Sequence, residues 1–358
     1  MRINYILYIL AVTIIFTGCN HVNREKGLED IGKEYTLKSN VQKELFMASG
    51  RMAMTDSLLV IVSLHADDIC KLYTVYDKIE EVCNYGKKGN GPNEFIQPLL
   101  TYAYGNMFGL NEVNKQELII MNINKGDNGE VVINEKKRLK TPYKHEKGKW
   151  NPSNYYFVRL DSLHYVSLTG VENGHFFTLS DSTLSPINHF GDSPIEESLS
   201  PLSARNRLNG KIVAHNGKMV FATTHLPYLA SYSICHGKME KEWSLFYAQT
   251  GYGIRNGDLL FDKEKATGPL LDIKMDSRYI YILHMNQLLS DYDYFNAEKS
   301  SADKILVFDY NGNKVATLNL DCRIQEMAIT SKCFKLFGIT QQPDFSLVEF
   351  SLPKELYN

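Results

Sequence analysis

Short runs of β-forming residues, each preceded by a turn-like pair, recur along most of this chain. Two apolar runs in residues 304–320 flank Asn311-Gly312, and Asn-Gly between β-formers is a strong hairpin signal because both residues tolerate positive φ. Six copies of turn plus run follow one another at intervals of about 49 to 60 residues. The runs begin at Leu58, Met107, Leu163, Lys218, Arg278 and Cys333.

The length and content of the repeat predict the fold. About four short strands per repeat are typical of a β-propeller blade, whereas leucine-rich and helical repeats are shorter and carry leucine ladders or a 3.6-residue period. We therefore expect an all-β, six-bladed propeller with four-stranded blades over residues 35–358. The last repeat has only three strand-like runs, and residues 35–37 are expected to supply the fourth strand and close the ring. The alternative is that residues 35–37 belong to a tether.

The N-terminus predicts export and a lipid anchor. Arg2 precedes an apolar run over residues 5–16, which is too short for a membrane-spanning helix and typical of a signal peptide. The run ends in Thr17-Gly18-Cys19, which resembles a bacterial lipobox. We expect residues 1–18 to be a lipoprotein signal peptide and residues 19–34 to be the lipidated Cys19 and its tether. The alternative is an ordinary signal peptide with a chance cysteine.

The predicted export and lipid anchor lead to expectations about the location of the protein and the state of its cysteines. Asn20 is not the aspartate associated with inner-membrane retention, so a cell-envelope lipoprotein of the outer membrane is expected. Five cysteines remain after Cys19, an odd number, and we expect buried free thiols, with a Cys70–Cys83 pair across a hairpin as the alternative.

The net charge of −2 does not favour a nucleic-acid partner.

A glycine-rich stretch at residues 86–95 carries a family resemblance. It reads Gly-Lys-Lys-Gly-Asn-Gly-Pro-Asn-Glu-Phe and lacks the Ser or Thr that follows Gly-Lys in a phosphate-binding loop. With the lipobox and the Asn-Gly hairpin, it resembles the six-bladed TolB-like propeller lipoproteins and, more distantly, NHL-repeat proteins, in which such a turn links successive blades. The matching positions are Gly89, Gly91, Pro92, Glu94 and Phe95. The resemblance implies an envelope propeller without implying an activity.

The site is expected at the mouth of the central channel. In a propeller, the B-to-C loops of the blades and the D-to-A crossovers between blades emerge on one face, so their polar and aromatic side chains converge there. A long insertion in the fifth B-to-C loop, residues 288–303, is the most prominent of these loops. The candidate binding residues are His65, Asp67, Asn111, Glu112, Trp150, Glu172, Arg205, His225, Tyr228, Arg255, His284, Tyr292 and Tyr294.

Two functions from different classes fit this set of residues. Aromatic rings mixed with arginines and amides favour a binding module for a glycan, a peptide or an envelope protein, with no catalysis assigned and no required cofactor. The alternative is a metal-dependent hydrolase or lactonase, because histidines and carboxylates at one mouth can hold a divalent cation such as calcium or zinc. No HExxH or calcium-loop spacing supports that alternative.

Overall fold

The computed structural model describes residues 32–44, 50–142, 156–172, 175–248, 250–341 and 345–357, and only the backbone of residues 42–44 and 169–172. The described chain contains six sheets of four or more strands. The innermost strand of each blade contacts the innermost strand of the next, and that of blade 6 returns to that of blade 1. The expected six-bladed, all-β propeller is therefore confirmed.

The strands of each blade run from A, nearest the central channel, outward to D. Blade 1 comprises Arg51–Met54, Leu58–Val62, Cys70–Thr74 and Glu80–Tyr85. Blade 2 comprises Pro98–Tyr104, Met107–Glu112, Glu117–Lys125 and Val131–Lys140. Blade 3 comprises Phe157–Arg159, Tyr165–Glu172, His175–Ser180 and Pro186–Phe190. Blade 4 comprises Gly210–His215, Lys218–Thr223, Tyr228–Cys235 and Lys238–Phe246. Blade 5 comprises Leu270–Met275, Tyr279–His284, Ala302–Asp309 and Lys314–Ile324. Strands A to C of blade 6 are Glu326–Thr330, Lys335–Thr340 and Ser346–Ser351.

Burial explains why the B strand of blade 1 is an uninterrupted apolar run. Every residue of Leu58–Val62 is buried, because neighbouring blades cover both faces of the sheet. The hydrophobic clusters lie between adjacent blades, and one of them joins Leu318 of blade 5 to Val348 and Phe350 of blade 6.

The N-terminal segment pairs with two blades. Ser39–Glu44 runs antiparallel to Ser346–Ser351 and is the fourth strand of blade 6. Residues 35–37, which we expected in that position, instead belong to Lys33–Leu37, a strand parallel to Lys314–Ile324 at the outer edge of blade 5. The assignment of residues 35–37 to blade 6 is therefore wrong by one strand, because two adjacent β-capable segments precede blade 1 and both are used.

The glycine-rich stretch forms a compact turn between blades 1 and 2. Lys87–Lys88 and Glu94–Phe95 pair in parallel, and Glu94 Oε2 accepts a hydrogen bond from Gly91 N at 2.7 Å. A Cβ atom at Gly89 would lie 2.1 Å from Glu94 Oε2, so only glycine fits there with this carboxylate in place. The stretch is thus a structural turn whose acidic residue satisfies a backbone donor.

Several elements were not predicted from the sequence. A helix, Pro201–Arg207, and a hairpin of Tyr252–Arg255 and Asp258–Phe261 lie in the crossovers on either side of blade 4. Two 3-10 turns occur at Leu289–Asp291 and Lys354–Leu356. The five cysteines in the described part of the chain are free thiols, and of these only Cys70 is fully buried. No helix among the described residues is long and apolar enough to cross a bilayer.

Candidate functional site

A cavity of about 700 Å³ opens on the face that carries the B-to-C loops. Blades 1, 2, 5 and 6 line it, and we call it the mouth cavity. Its walls include His65 from blade 1 and Gln341 from blade 6, and the fifth B-to-C insertion contributes Tyr292, Tyr294 and Phe295. A volume of this size is within the usual range of small-molecule sites.

Hydrogen bonds and packing anchor the base of the insertion in blade 5. Arg323 donates hydrogen bonds to Ser301 O, at 2.6 Å from Nη2, and to the Gln287 side chain at 3.2 Å. Tyr292 is half-buried and packs against the cluster between blades 5 and 6. Backbone hydrogen bonds add to these contacts, because Leu289 N donates to Ala266 O and Ser290 N donates to Lys263 O in the segment before blade 5.

The tip of the insertion exposes two aromatic rings. Asp293 Oδ1 accepts a hydrogen bond from Phe295 N at 3.0 Å, which fixes a tight turn. Tyr294 is 73% exposed and Phe295 is 94% exposed. Their rings meet edge to face, with centroids 5.4 Å apart. The two adjacent rings form an exposed apolar patch, and such patches can mark a contact with a partner or ligand.

The mouth cavity ends at a floor formed by Arg51 and Glu326. Both residues also line a smaller cavity of about 50 Å³ deeper in the channel, so they mark the boundary between the two spaces. Arg51 Nη2 donates to Tyr156 Oη at 2.9 Å, and its guanidinium carbon lies 5.0 Å from the centre of the Tyr156 ring. No carboxylate among the described residues forms an ion pair with Arg51.

The carboxylates below the floor are paired with lysines. Asp272 accepts from Lys274 at 2.9 Å and from Met327 N at 3.0 Å. Lys211 lies 3.5 Å from both Asp272 and Glu326. The innermost strands of blades 4, 5 and 6 thus place a buried charge network on the channel axis.

The environment of the two carboxylates shifts their pKa values in opposite directions. Burial opposes ionisation of Asp272, but Lys274, Lys211 and the hydrogen bond from Met327 outweigh it and hold the pKa of Asp272 below its usual value. Burial and the neighbouring Asp272 charge raise the pKa of Glu326, and they outweigh the attraction of Lys211, which is 3.5 Å away, and of Lys274 and Arg51. Glu326 is therefore the carboxylate of the network that neutralises first as the pH falls.

Three predicted site residues meet at the mouth cavity: His65, Tyr292 and Tyr294. Asp67 borders an adjoining open depression of about 650 Å³, together with His65 and the two lysines of the glycine-rich turn. Neither Arg205, on the helix before blade 4, nor Arg255, on the hairpin after it, lines the mouth cavity.

Four predicted residues do not reach solvent at the mouth, and that expectation is wrong for them. Asn111 and Glu112 are buried at the end of a B strand, where Glu112 accepts hydrogen bonds from backbone N–H groups of the preceding crossover. Tyr228 is buried in the cluster between blades 3 and 4. His284 is buried against Tyr247, with ring centroids 5.3 Å apart.

The two histidines of blades 4 and 5 are poor candidates for ligand contact. Burial, with Lys304 nearby, lowers the pKa of His284 to about 4, so the ring is neutral at physiological pH. His225 is half-buried beside Phe261, and burial lowers its pKa as well. Nδ1 of each ring has no hydrogen-bond partner in the described part of the chain.

Some expectations lie outside the described residues. They are the lipidation site Cys19 and the crossover residue Trp150. Glu172 is described only as backbone, where it pairs with His175.

Sequence reasoning missed the charged floor. The charged residues of the floor lie on innermost strands, whereas the sequence prediction considered only loops. They are Arg51, Lys211, Asp272 and Glu326. A charged residue inside an otherwise apolar A strand was the available signal, because A strands line the channel. Within the ranges that the structure describes, no three His, Cys, Asp or Glu side chains are grouped closely enough to hold a metal ion.

Comparison with known proteins identifies the family and the fold. Residues 30–332 match the family of TolB-like 6-blade propellers. An exported protein of Bacteroides fragilis has a similar structure, with 12% identity, 89% of this chain and 98% of that chain covered, and a TM-score of 0.54. A DUF4221 family member from Bacteroides vulgatus is similar at 9% identity, with 88% and 95% covered and a TM-score of 0.50. Among curated proteins, none matches the chain significantly. Since the match extends over most of its length, the chain belongs to the TolB-like six-bladed propeller family.

Proposed function

We propose that this protein is a binding module of the cell envelope that captures a glycan, peptide or protein partner through the mouth cavity. The observation that carries the proposal is the pair of exposed aromatic rings, Tyr294 and Phe295, on a loop fixed beside a cavity of about 700 Å³. Aromatic side chains at the edge of a concave site commonly carry binding energy, because they bury much area at a small entropic cost.

The proposed location rests on the N-terminal sequence. The apolar run before Cys19 and the lipobox-like Thr17-Gly18-Cys19 support export and a lipid anchor at an outer membrane. The structurally similar protein of Bacteroides fragilis is described as exported, although an identity of 12% supports only the fold.

The test compares two surface variants. Tyr294→Ser combined with Phe295→Ser removes the exposed rings, whereas Leu163→Ser removes an apolar side chain that is 62% exposed in an A-to-B loop on the opposite face. Both variants are expected to melt within about 1 °C of the wild type, since exposed side chains contribute little to stability. Tyr292 stays unchanged, because its half-buried ring contributes to the core.

The readout is binding to an array of oligosaccharides and peptides and to solubilised envelope proteins. The loop variant is expected to lose at least ten-fold in affinity for whatever the wild type binds, which corresponds to about 1.4 kcal/mol. The Leu163→Ser control should bind as the wild type does. A loop variant that folds and binds undiminished would exclude the mouth cavity from function.

A further inference from the structure

The floor of the mouth cavity has an arginine whose donors are mostly not used by any described residue. Arg51 presents five N–H groups, and its one hydrogen bond to a described residue is to Tyr156. That contact, with the guanidinium over the same ring, holds the side chain in place before a ligand arrives. A preorganised guanidinium binds planar anions such as carboxylates through two parallel hydrogen bonds.

The charges around the floor favour an anion. Three cations, Arg51, Lys211 and Lys274, face two carboxylates, Asp272 and Glu326. Asp272 is engaged by both lysines, whereas Arg51 forms no ion pair among the described residues and is attracted by Glu326 and Asp272 only at longer range. The network therefore has one excess positive charge, and protonation of Glu326 would increase it. In a site partly shielded from water, that excess attracts a negatively charged group more strongly than it would on the surface.

The walls above the floor suit a ring that carries hydroxyl groups. Gln341 donates to Gln325 at 2.6 Å, and Gln325 donates to the Ser300 hydroxyl at 3.3 Å, which forms a chain of amides and a hydroxyl along one wall. These groups offer donors and acceptors together. The rings of Tyr294 and Phe295 stand at the rim and provide flat apolar surfaces. Sugar rings use both kinds of contact, stacking on aromatics through C–H faces and bonding to amides through hydroxyls.

We propose that the mouth cavity binds acidic sugars, with the carboxylate of a uronic acid on Arg51 and the neighbouring sugar rings against Tyr294 and Phe295. This proposal rests on the proposed function and specifies its ligand class. Arg51 selects for the charge, and the aromatic rim contributes affinity to charged and neutral sugars alike.

The first test uses ligands alone and needs no protein variant. Oligomers of galacturonate, glucuronate and mannuronate are titrated calorimetrically against the wild type, each beside its neutral methyl ester. At least one acid is expected to bind, and at least ten times more tightly than its ester. Equal affinities, or no binding of any oligouronate at millimolar concentration, would overturn the proposal.

The second test changes the charged residues of the floor by substitution. Arg51→Met should abolish the preference for acid over ester and leave the affinity for the ester unchanged, while Arg51→Lys should keep part of the preference. Glu326→Gln removes a negative charge beside the ligand and should strengthen acid binding several-fold. If Arg51→Met does not fold, Tyr156→Phe removes only the hydrogen bond that holds the guanidinium and should weaken the preference. A preference that survives loss of Arg51 overturns the assignment.

The outcomes separate this inference from the proposed function. If the Tyr294→Ser and Phe295→Ser variant loses its ligand while Arg51→Met does not, the mouth cavity is functional but its ligand is not acidic. If a peptide with a free C-terminal carboxylate binds in an Arg51-dependent way and no uronate does, the floor recognises a carboxylate from a peptide and the assignment to sugars is wrong.

Discussion

Leu37 is expected to be the side chain through which the N-terminal segment stabilises the ring. Its strand pairs with the outer edge of blade 5, and the side chain, 5% exposed, packs in the cluster that joins blades 5 and 6. Val41, four residues later on the fourth strand of blade 6, is 63% exposed. The two positions therefore form a matched pair on neighbouring strands.

The magnitude follows from burial. Leu37→Ala removes buried methyl groups and leaves a cavity, which costs about 2–5 kcal/mol in the free energy of unfolding. Val41→Ala removes exposed surface and is expected to cost about 0.5 kcal/mol or less. With an unfolding entropy of about 0.7 kcal/mol per kelvin for a ring of this size, Leu37→Ala should lower the melting temperature by about 3–7 °C.

Urea unfolding followed by tryptophan fluorescence and circular dichroism measures the difference. Leu37→Ala should move the midpoint to lower urea without changing the slope, because the ring still unfolds as a unit. A separate early transition would show that the N-terminal strands detach alone. If Leu37→Ala and Val41→Ala gave the same small shift, the segment would not be docked in solution, and the burial argument would be refuted.

Three further predictions concern the floor and the anchor. Burial raises the pKa of Glu326 in the folded state, so ionisation of this carboxylate destabilises the fold above the ordinary glutamate pKa of about 4.3. Glu326→Gln should therefore raise the melting temperature at pH 7. Below about pH 4, where Glu326 is protonated in both states, the variant should lose that advantage. Asp272, whose pKa is lowered, should show the opposite sign, with Asp272→Asn destabilising at pH 7 and much less in acid. Cys19→Ser should abolish palmitate incorporation while the purified protein melts as the wild type does; labelled palmitate on the variant would disprove the lipobox assignment.

The blades could be predicted because each is a local unit. Turn pairs and β-runs repeat along the sequence, so the B strands of blades 1, 2 and 4 begin at the predicted residues, Leu58, Met107 and Lys218. The fourth strand of blade 6 could not be placed, since Ser39–Glu44 and Lys33–Leu37 are both β-capable and their partners lie near the other end of the chain. Local propensity does not encode which distant edge a segment joins.

The residues of the site also divide into those that the sequence predicts and those that it does not. Loop residues such as His65 and Tyr294 were found because the propeller fold sends its B-to-C loops to one face. Glu112 and His284 were misplaced because a polar residue at the end of a strand either reaches solvent or turns inward, and only packing decides between these. Arg51 and Glu326 were missed because charged side chains on inner strands approach one another only when the ring is complete.

The pairing of Ser39–Glu44 with Ser346–Ser351 also sets the order in which the protein can fold. Ser39–Glu44 is made before blades 1 to 5 and its partner after them, so this sheet cannot form until those five blades have been synthesised. If the N-terminal strand is missing or undocked, Ser346–Ser351, with its apolar Leu347, Val348 and Phe350, presents a bare strand edge to other chains. Aggregation during production should therefore depend on the N-terminal strands, and a peptide of residues 33–44 supplied in trans should suppress it in a truncated chain.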